Sequence, residues 1–254
     1  MPRRSIVLNS TGLTSLSLSH RSFDIDYLAA IAGKMPQPTA RTMFLYGCIQ
    51  ARDGMGMPPR MGPIIRKKGW DIIREVNLAH QGMGDELAAI FSDALVLLPE
   101  VGKVDVSDNR LSDVGVASIL DAVMDKQDLH TLIIGYNKVD GDAAEKLAEF
   151  IAREDCPLTT LGLSNGDVDD GECFRFIEAL ATNNTLTNLD LSNNLIGSDE
   201  NLNVVNPDLI TGGEAIAAML ASENCTLKKL NLEWNLIRFN SAVEIGDALA
   251  LNTR

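Results

Sequence analysis

The chain has 254 residues, of which 45% are hydrophobic and only 5% aromatic, and its formal net charge is −13. That supplies ample core for one or two domains, but a core of Leu, Ile, Val and Ala with few rings suits thin stacked layers better than one thick globule. No stretch approaches the ~18 apolar residues of a membrane span, and the acidity disfavours nucleic acid and anionic membranes while favouring basic partners.

The charge is unevenly spread. Residues 1–68 hold ten Lys/Arg against three Asp, a net +7, whereas residues 69–254 hold 12 basic and 32 acidic residues, a net −20. A basic N-terminal region therefore precedes an acidic body. The N-terminus has no long apolar run and no small-residue cleavage site, so no signal peptide is predicted and a cytoplasmic location is expected. The sequons at Asn9, Asn183 and Asn224 are then coincidental. Within residues 1–68, FDIDYLAAIA (23–32) and TARTMFLYGCIQAR (39–52) read as helices parted by Pro36 and Pro38, and GMGMPPRMGP reads as loop. This mainly helical region, with one degenerate repeat at 13–21, is expected to cap the edge of the acidic body.

From residue 69 onward one pattern, LxxLxLxxN, governs the chain. Clear copies start at Val101, Leu129, Leu186 and Leu227, weaker ones at Ile73 and Leu158, and a marginal one at Leu13. From Ile73 the starts are 28, 28, 29, 28 and 41 residues apart. A fixed period across several copies predicts stacked identical units. The alternation within the motif predicts a strand with one face in the core. The closing Asn turns the chain and bonds neighbouring backbone, which makes Asn109, Asn137, Asn194 and Asn235 a structural ladder. It is expected to weaken where Gln81 and Gly166 replace Asn. Helical patterns occur at 114–126, 142–153, 171–182, 212–222 and 242–251, with Asp113 and Asp170 as expected N-terminal caps. Cys156 and Cys225, two residues ahead of motif starts, read as buried thiols.

The copies NNTLTNLDLSNNLIG and NCTLKKLNLEWNLI resemble the repeats of the ribonuclease-inhibitor class, found also in Ran GTPase-activating protein and NOD-like receptors. A fainter likeness is to leucine-rich-repeat proteins of cilia. The resemblance covers residues 69–254. It implies an α/β, right-handed leucine-rich-repeat solenoid, a horseshoe with a parallel concave sheet and convex helices, whose usual ligands are proteins. Two irregularities stand out. The 41-residue step places an insertion at 198–211, expected at the rim, where loops often carry function. The period also sets the next motif start at residue 255, so the sequence is expected to be truncated at its C-terminus.

No constellation of catalytic type is present. The histidines at 20, 80 and 130 form no HxxxH or HExxH, and no GxSxG, Walker loop or GxGxxG occurs. NGDVDDGE (165–172) fails as a calcium loop, with Asp170 where Gly is required and Phe176 where Glu is required. No catalytic residue, metal site or cofactor is therefore assigned. The remaining candidate is the concave face. Residues four and seven places after each motif start are expected to point away from the core. They include Asp105, Asp190, His80, Asp108, Tyr136, Asn193 and Trp234, joined by Glu233. Large exposed rings in an acidic strip are typical anchors of interfaces. The reading is a non-enzymatic scaffold that binds a protein with a basic surface or segment. Its alternatives are a small-GTPase regulator of the Ran GTPase-activating type and the recognition arm of a larger signalling or axonemal protein.

Overall fold

A computed structural model describes residues 74–98, 100–199, 210–223 and 225–252. The expected N-terminal cap, its two helices and the repeat at 13–21 lie outside the described residues, as do residues 200–209 of the insertion.

Strand and helix alternate six times: β1 Glu75–Asn77, α1 Gly84–Val96, β2 Lys103–Asp105, α2 Asp113–Val123, β3 Thr131–Ile133, α3 Gly141–Ala152, β4 Thr160–Gly162, α4 Asp170–Leu180, β5 Asn188–Asp190, α5 Gly212–Ala221, β6 Lys229–Asn231 and α6 Phe239–Leu251. The strands form one open sheet in chain order. Every pairing is parallel, and the register advances by the sequence period: Glu75 faces Lys103, Lys103 faces Thr131, Thr131 faces Thr160, Thr160 faces Asn188, and Asn188 faces Lys229. The 41-residue step is thus absorbed in the β5–α5 connection without a slip of the ladder.

Motif leucines build the core. In the third unit Leu129, Leu132 and Ile134 are fully buried, and Phe91, Phe150 and Phe176 pack in from the helices. Helix α1 has no counterpart among the helical patterns read from the sequence. Leu87, Ala88, Phe91, Ala94 and Leu95 carry its buried face, but it starts at Gly84 behind Met83, which makes no side-chain cap. Without a start signal the apolar run is ambiguous. Two expected caps shift by one residue. Ser112, not Asp113, caps α2 by accepting from Val114 N. Asp169, not Asp170, caps α4 in a reciprocal box with Glu172. Burial pushes the Glu172 carboxyl up to about 7, and its hydrogen bond to Asp169 adds to the rise. The same bond holds Asp169 below the usual carboxylate range. Cys156 and Cys173 are buried, and desolvation raises both thiols. Cys225 is only half-buried because it belongs to the outermost layer.

The asparagine ladder runs as the motif requires. The Asn137 side-chain amide donates to the carbonyls of Val106, Ile134 and Gly135, and its Oδ1 accepts from Asn109 N and Leu111 N. Asn109, Asn194 and Asn235 repeat this across their own interfaces. Where Gly166 interrupts the series, Val139 N donates to the Gly166 carbonyl instead, at 2.9 Å. One rung is replaced by backbone.

A second device spans the helix layer. Helix ends leave carbonyls without intrahelical donors, and none of the described helices has a basic residue in its last turn. The donor comes from the following repeat. Lys126 Nζ donates to Leu98 O (2.7 Å), an Arg153 guanidinium N–H to Met124 O (2.9 Å), Asn183 Nδ2 to Ile151 O (2.8 Å) and Asn252 Nδ2 to Leu220 O (2.8 Å). Burial lowers the Lys126 ammonium below its ordinary value.

Asp170, buried as the first residue of α4, anchors both ends of the insertion. One carboxylate oxygen accepts from Gly197 N (2.9 Å) and Gly212 N (2.6 Å); the other accepts from the Ser198 hydroxyl (3.1 Å) and Asp199 N (2.8 Å). The insertion therefore leaves and rejoins the solenoid at one point beside the start of α4.

Candidate functional site: the concave face and its rim

Each strand ends four places after its motif start, so Asn77, Asp105, Ile133, Gly162, Asp190 and Asn231 close the strands. Four of them also shape the turn beyond the strand. Asp105 Oδ1 accepts from Ser107 N (3.1 Å) and the Ser107 hydroxyl (2.7 Å); Asp190 does the same with Ser192 (3.0 and 2.7 Å). Asn77 and Asn231 accept from Ala79 N and Glu233 N. These side chains mimic a backbone turn, so Asp105 and Asp190 belong partly to the scaffold.

The seventh position corrects the expectation. Positions four and seven differ by an odd number, so a period of two cannot place both on one face of a strand. The seventh residue lies past the strand in a left-handed turn, with φ of 60° at His80, 51° at Asp108, 56° at Tyr136, 53° at Asn165, 55° at Asn193 and 59° at Trp234. Its amide extends the inter-repeat ladder: Asp108 N donates to Gly135 O, Tyr136 N to Ser164 O, Asn165 N to Ser192 O and Asn193 N to Glu233 O. The column is thus a regular row of exposed residues along one rim of the sheet.

Residue chemistry along this row is informative. Asn, Asp and His tolerate the left-handed region, whereas bulky side chains there are outliers. Tyr136 and Trp234 occupy it nonetheless, the two residues being 52% and 81% exposed. At the other end His80 Nδ1 lies 2.7 Å from Asp108 Oδ2, so two of the candidate site residues touch directly across neighbouring repeats. Asn193 and Glu233 are exposed on the same rim.

A third column escapes the sequence reading. Glu75, Lys103, Thr131, Thr160, Asn188 and Lys229 open the strands and share their face with the fourth position. The alternation that marks the core marks these residues too, two places from each motif start. They carry two lysines, so acidity is concentrated along the turn side rather than over the whole face. On the opposite side, an apolar groove between α4 and α5 is lined by Phe174, Ile177, Ala215, Ala218 and Met219, with Glu178 and Glu214 as its carboxylates. Among the described residues no group of three or more His, Cys, Asp or Glu is placed to hold a metal ion, and no helix is long and apolar enough to cross a membrane.

This architecture is a leucine-rich-repeat solenoid of the ribonuclease-inhibitor type. The chain is 23% identical to mouse ribonuclease inhibitor over 231 residues, covering 89% of this chain and 47% of that protein. It is 28% identical to the Rho GTPase-activating protein gacW of Dictyostelium discoideum over 172 residues, covering 64% of this chain and 14% of that one. It thus spans about half the length of the first and a seventh of the second. Among solved structures it overlays on leiomodin-1 actin-binding site 2 with a TM-score of 0.37 and 19% identity, over 72% of this chain and 82% of that one. No protein-family model matches the chain.

Proposed function

We propose that this protein is a non-enzymatic binding module of the cytoplasm whose concave face and turn-side rim receive a protein partner. One observation carries the reading. Tyr136 and Trp234 hold large exposed rings at left-handed positions that His, Asp and Asn fill in the other described repeats. A backbone conformation that costs bulky residues on the order of 1 kcal/mol and is kept at an exposed position points to use of the side chain. Solvent-facing aromatics of this kind serve as interface anchors. The mouse relative, by its name, inhibits a ribonuclease, which supports a protein as the class of ligand. Asp108, Asp190 and Glu233, with Asp105 beside them, favour a basic segment, and the lysines at 103 and 229 set its polarity across the sheet.

The test uses the fold's own preference. Tyr136→Asn and Trp234→Asn install the residue that neighbouring turns already use, so thermal stability should stay within ~1 kcal/mol of wild type. Affinity capture from a native lysate, followed by mass spectrometry, should then show a partner retained by wild type and lost from the double variant. Equal retention by both proteins would reject the rim as the binding site.

A further inference from the structure

Across the sheet, the residues that close the six strands run Asn77, Asp105, Ile133, Gly162, Asp190 and Asn231. The row is symmetrical in chemistry: amide, carboxylate, apolar centre, carboxylate, amide. Its middle four belong to strands with a neighbour on both sides. Oδ1 of Asp105 and of Asp190 is held by the serine two places on, which fixes each half-buried side chain. Among the described residues neither carboxylate has a cation within ion-pair distance. Between them Ile133 leans over Gly162, its Cγ2 lying 3.1 Å from where a Cβ of residue 162 would stand. One isoleucine thus covers two strands and forms a low apolar centre, with the exposed Tyr136 in the same layer. A glycine inside a strand suits the close approach of another chain.

Spacing and charge together select the occupant. Neighbouring strands stand about 4.8 Å apart, so Asp105 and Asp190, three strands apart, are separated by ~14 Å with the Ile133–Gly162 centre halfway. In an extended chain the side chains of one face recur every ~7 Å, so every second residue meets one of the three points. A helix presents one face at ~10.5 or ~16.5 Å, which falls short of the pair or overshoots it. We propose, on the reading that the concave face receives a protein partner, that this row binds an extended segment lying across the strands. The segment carries Lys or Arg at its first and fifth positions and an aliphatic residue at its third. Its two bases pair with Asp105 and Asp190, and the aliphatic side chain rests on Ile133 above Gly162. The sheet backbone is spent on its own ladder, so side chains carry the recognition. Thr131, Thr160 and Asn188, on the same face, offer hydroxyls and an amide to the segment's backbone. Lys103, two residues before Asp105 on that face, offsets part of its charge, so Asp190 is the stronger of the two contacts.

Fluorescence anisotropy of a labelled synthetic peptide, Lys-Thr-Leu-Thr-Lys flanked by Gly and Ser, tests this on the 254-residue chain. Binding at ~100 µM or tighter is expected in low salt. Asp105→Asn with Asp190→Asn should weaken it by ~10-fold or more, and Asp190→Asn alone by more than Asp105→Asn alone. The melting curve should not move, because Asn77 and Asn231 already serve the same turn in this row. Moving the second Lys of the peptide one place on, to the opposite face of an extended chain, should cost ~10-fold as well. No binding up to ~1 mM, or binding indifferent to the two asparagines or to the lysine spacing, would overturn the proposal. The rim is judged by its own readout, the partner captured from lysate and lost with Tyr136→Asn and Trp234→Asn. Such a partner beside a peptide that fails to bind overturns the extended segment and leaves the rim standing; a bound peptide with capture indifferent to the rim variant does the reverse.

Discussion

Replacing Asp170 by Ala tests how the insertion is held. The carboxylate accepts four hydrogen bonds from the two ends of the β5–α5 connection. Gly197 and Gly212 are buried, so their N–H groups lose their acceptors away from water, at ~1–3 kcal/mol each. Asp199 N and the Ser198 hydroxyl lie closer to solvent and are rehydrated at small cost. The sum is ~2–6 kcal/mol, from which relief of the buried carboxylate subtracts a part, leaving an expected loss of ~3 kcal/mol. Against the ~5–15 kcal/mol of a typical domain this is large. Urea unfolding followed by circular dichroism should show the drop in midpoint, and limited proteolysis should cut between residues 198 and 211 before the solenoid opens. Asp170→Asn retains one accepting oxygen but turns an NH2 toward the other donors, and should fall between Ala and wild type. A midpoint for Asp170→Ala within ~0.5 kcal/mol of wild type, or a worse result for Asn than for Ala, would refute the anchoring role.

Three further outcomes are expected. Glu172 is held near 7 in the folded chain against an ordinary 4.5, so between those values the native state keeps a proton that the unfolded chain releases, and stability should fall by ~1–3 kcal/mol as pH rises through that window. Asp169, held low, loses its own contribution only in more acid solution, and urea midpoints of Glu172→Gln should be flat from pH 4.5 to 7.5. Leu132→Ala should cost ~2–5 kcal/mol by cavity formation, and Leu230→Ala, at the same motif position in the half-open layer, less than half of that; equal losses would show that the last layer is as well packed as the rest. Asn183→Ala removes a donor to Ile151 O and an acceptor for Thr185 N and Leu186 N, an expected loss of ~2–4 kcal/mol, while Asn184→Ala, exposed next door, should leave the thermal midpoint in place.

Register was legible because it is a count. The spacings of 28, 28, 29, 28 and 41 residues are those of the strand pairs, and an alternating motif admits only one inward set. The ladder asparagines were legible for the same reason. The helix starts were less so: Ser112 and Asp113, or Asp169 and Asp170, are adjacent residues of similar capping power, and only the φ/ψ of the turn separates them. The rim column is visible in the motif but not its position, since nothing in LxxLxLxxN states that the strand stops after three residues and the chain passes through a left-handed turn. That turn also changes what a substitution at Asp105 means: its carboxylate serves Ser107, so a charge reversal there disturbs the scaffold as well as any partner. The donors at Lys126, Arg153 and Asn183 were invisible in the sequence because their targets lie 28, 29 and 32 residues away and their residue types share no pattern.

Those long-range caps give the stack a direction in time. On the ribosome a helix such as α2 is complete at Val123, yet its terminal carbonyl at Met124 waits for Arg153, which is synthesised only after the whole of the next strand and helix. The layers that end in α1, α2, α3 and α5 are therefore each finished by the one behind them, and while one of these is at the growing end its helix stays unsealed. In the opposite direction, loss of the newest layer unseals its predecessor, so the solenoid should unzip from its C-terminal side in steps of one repeat.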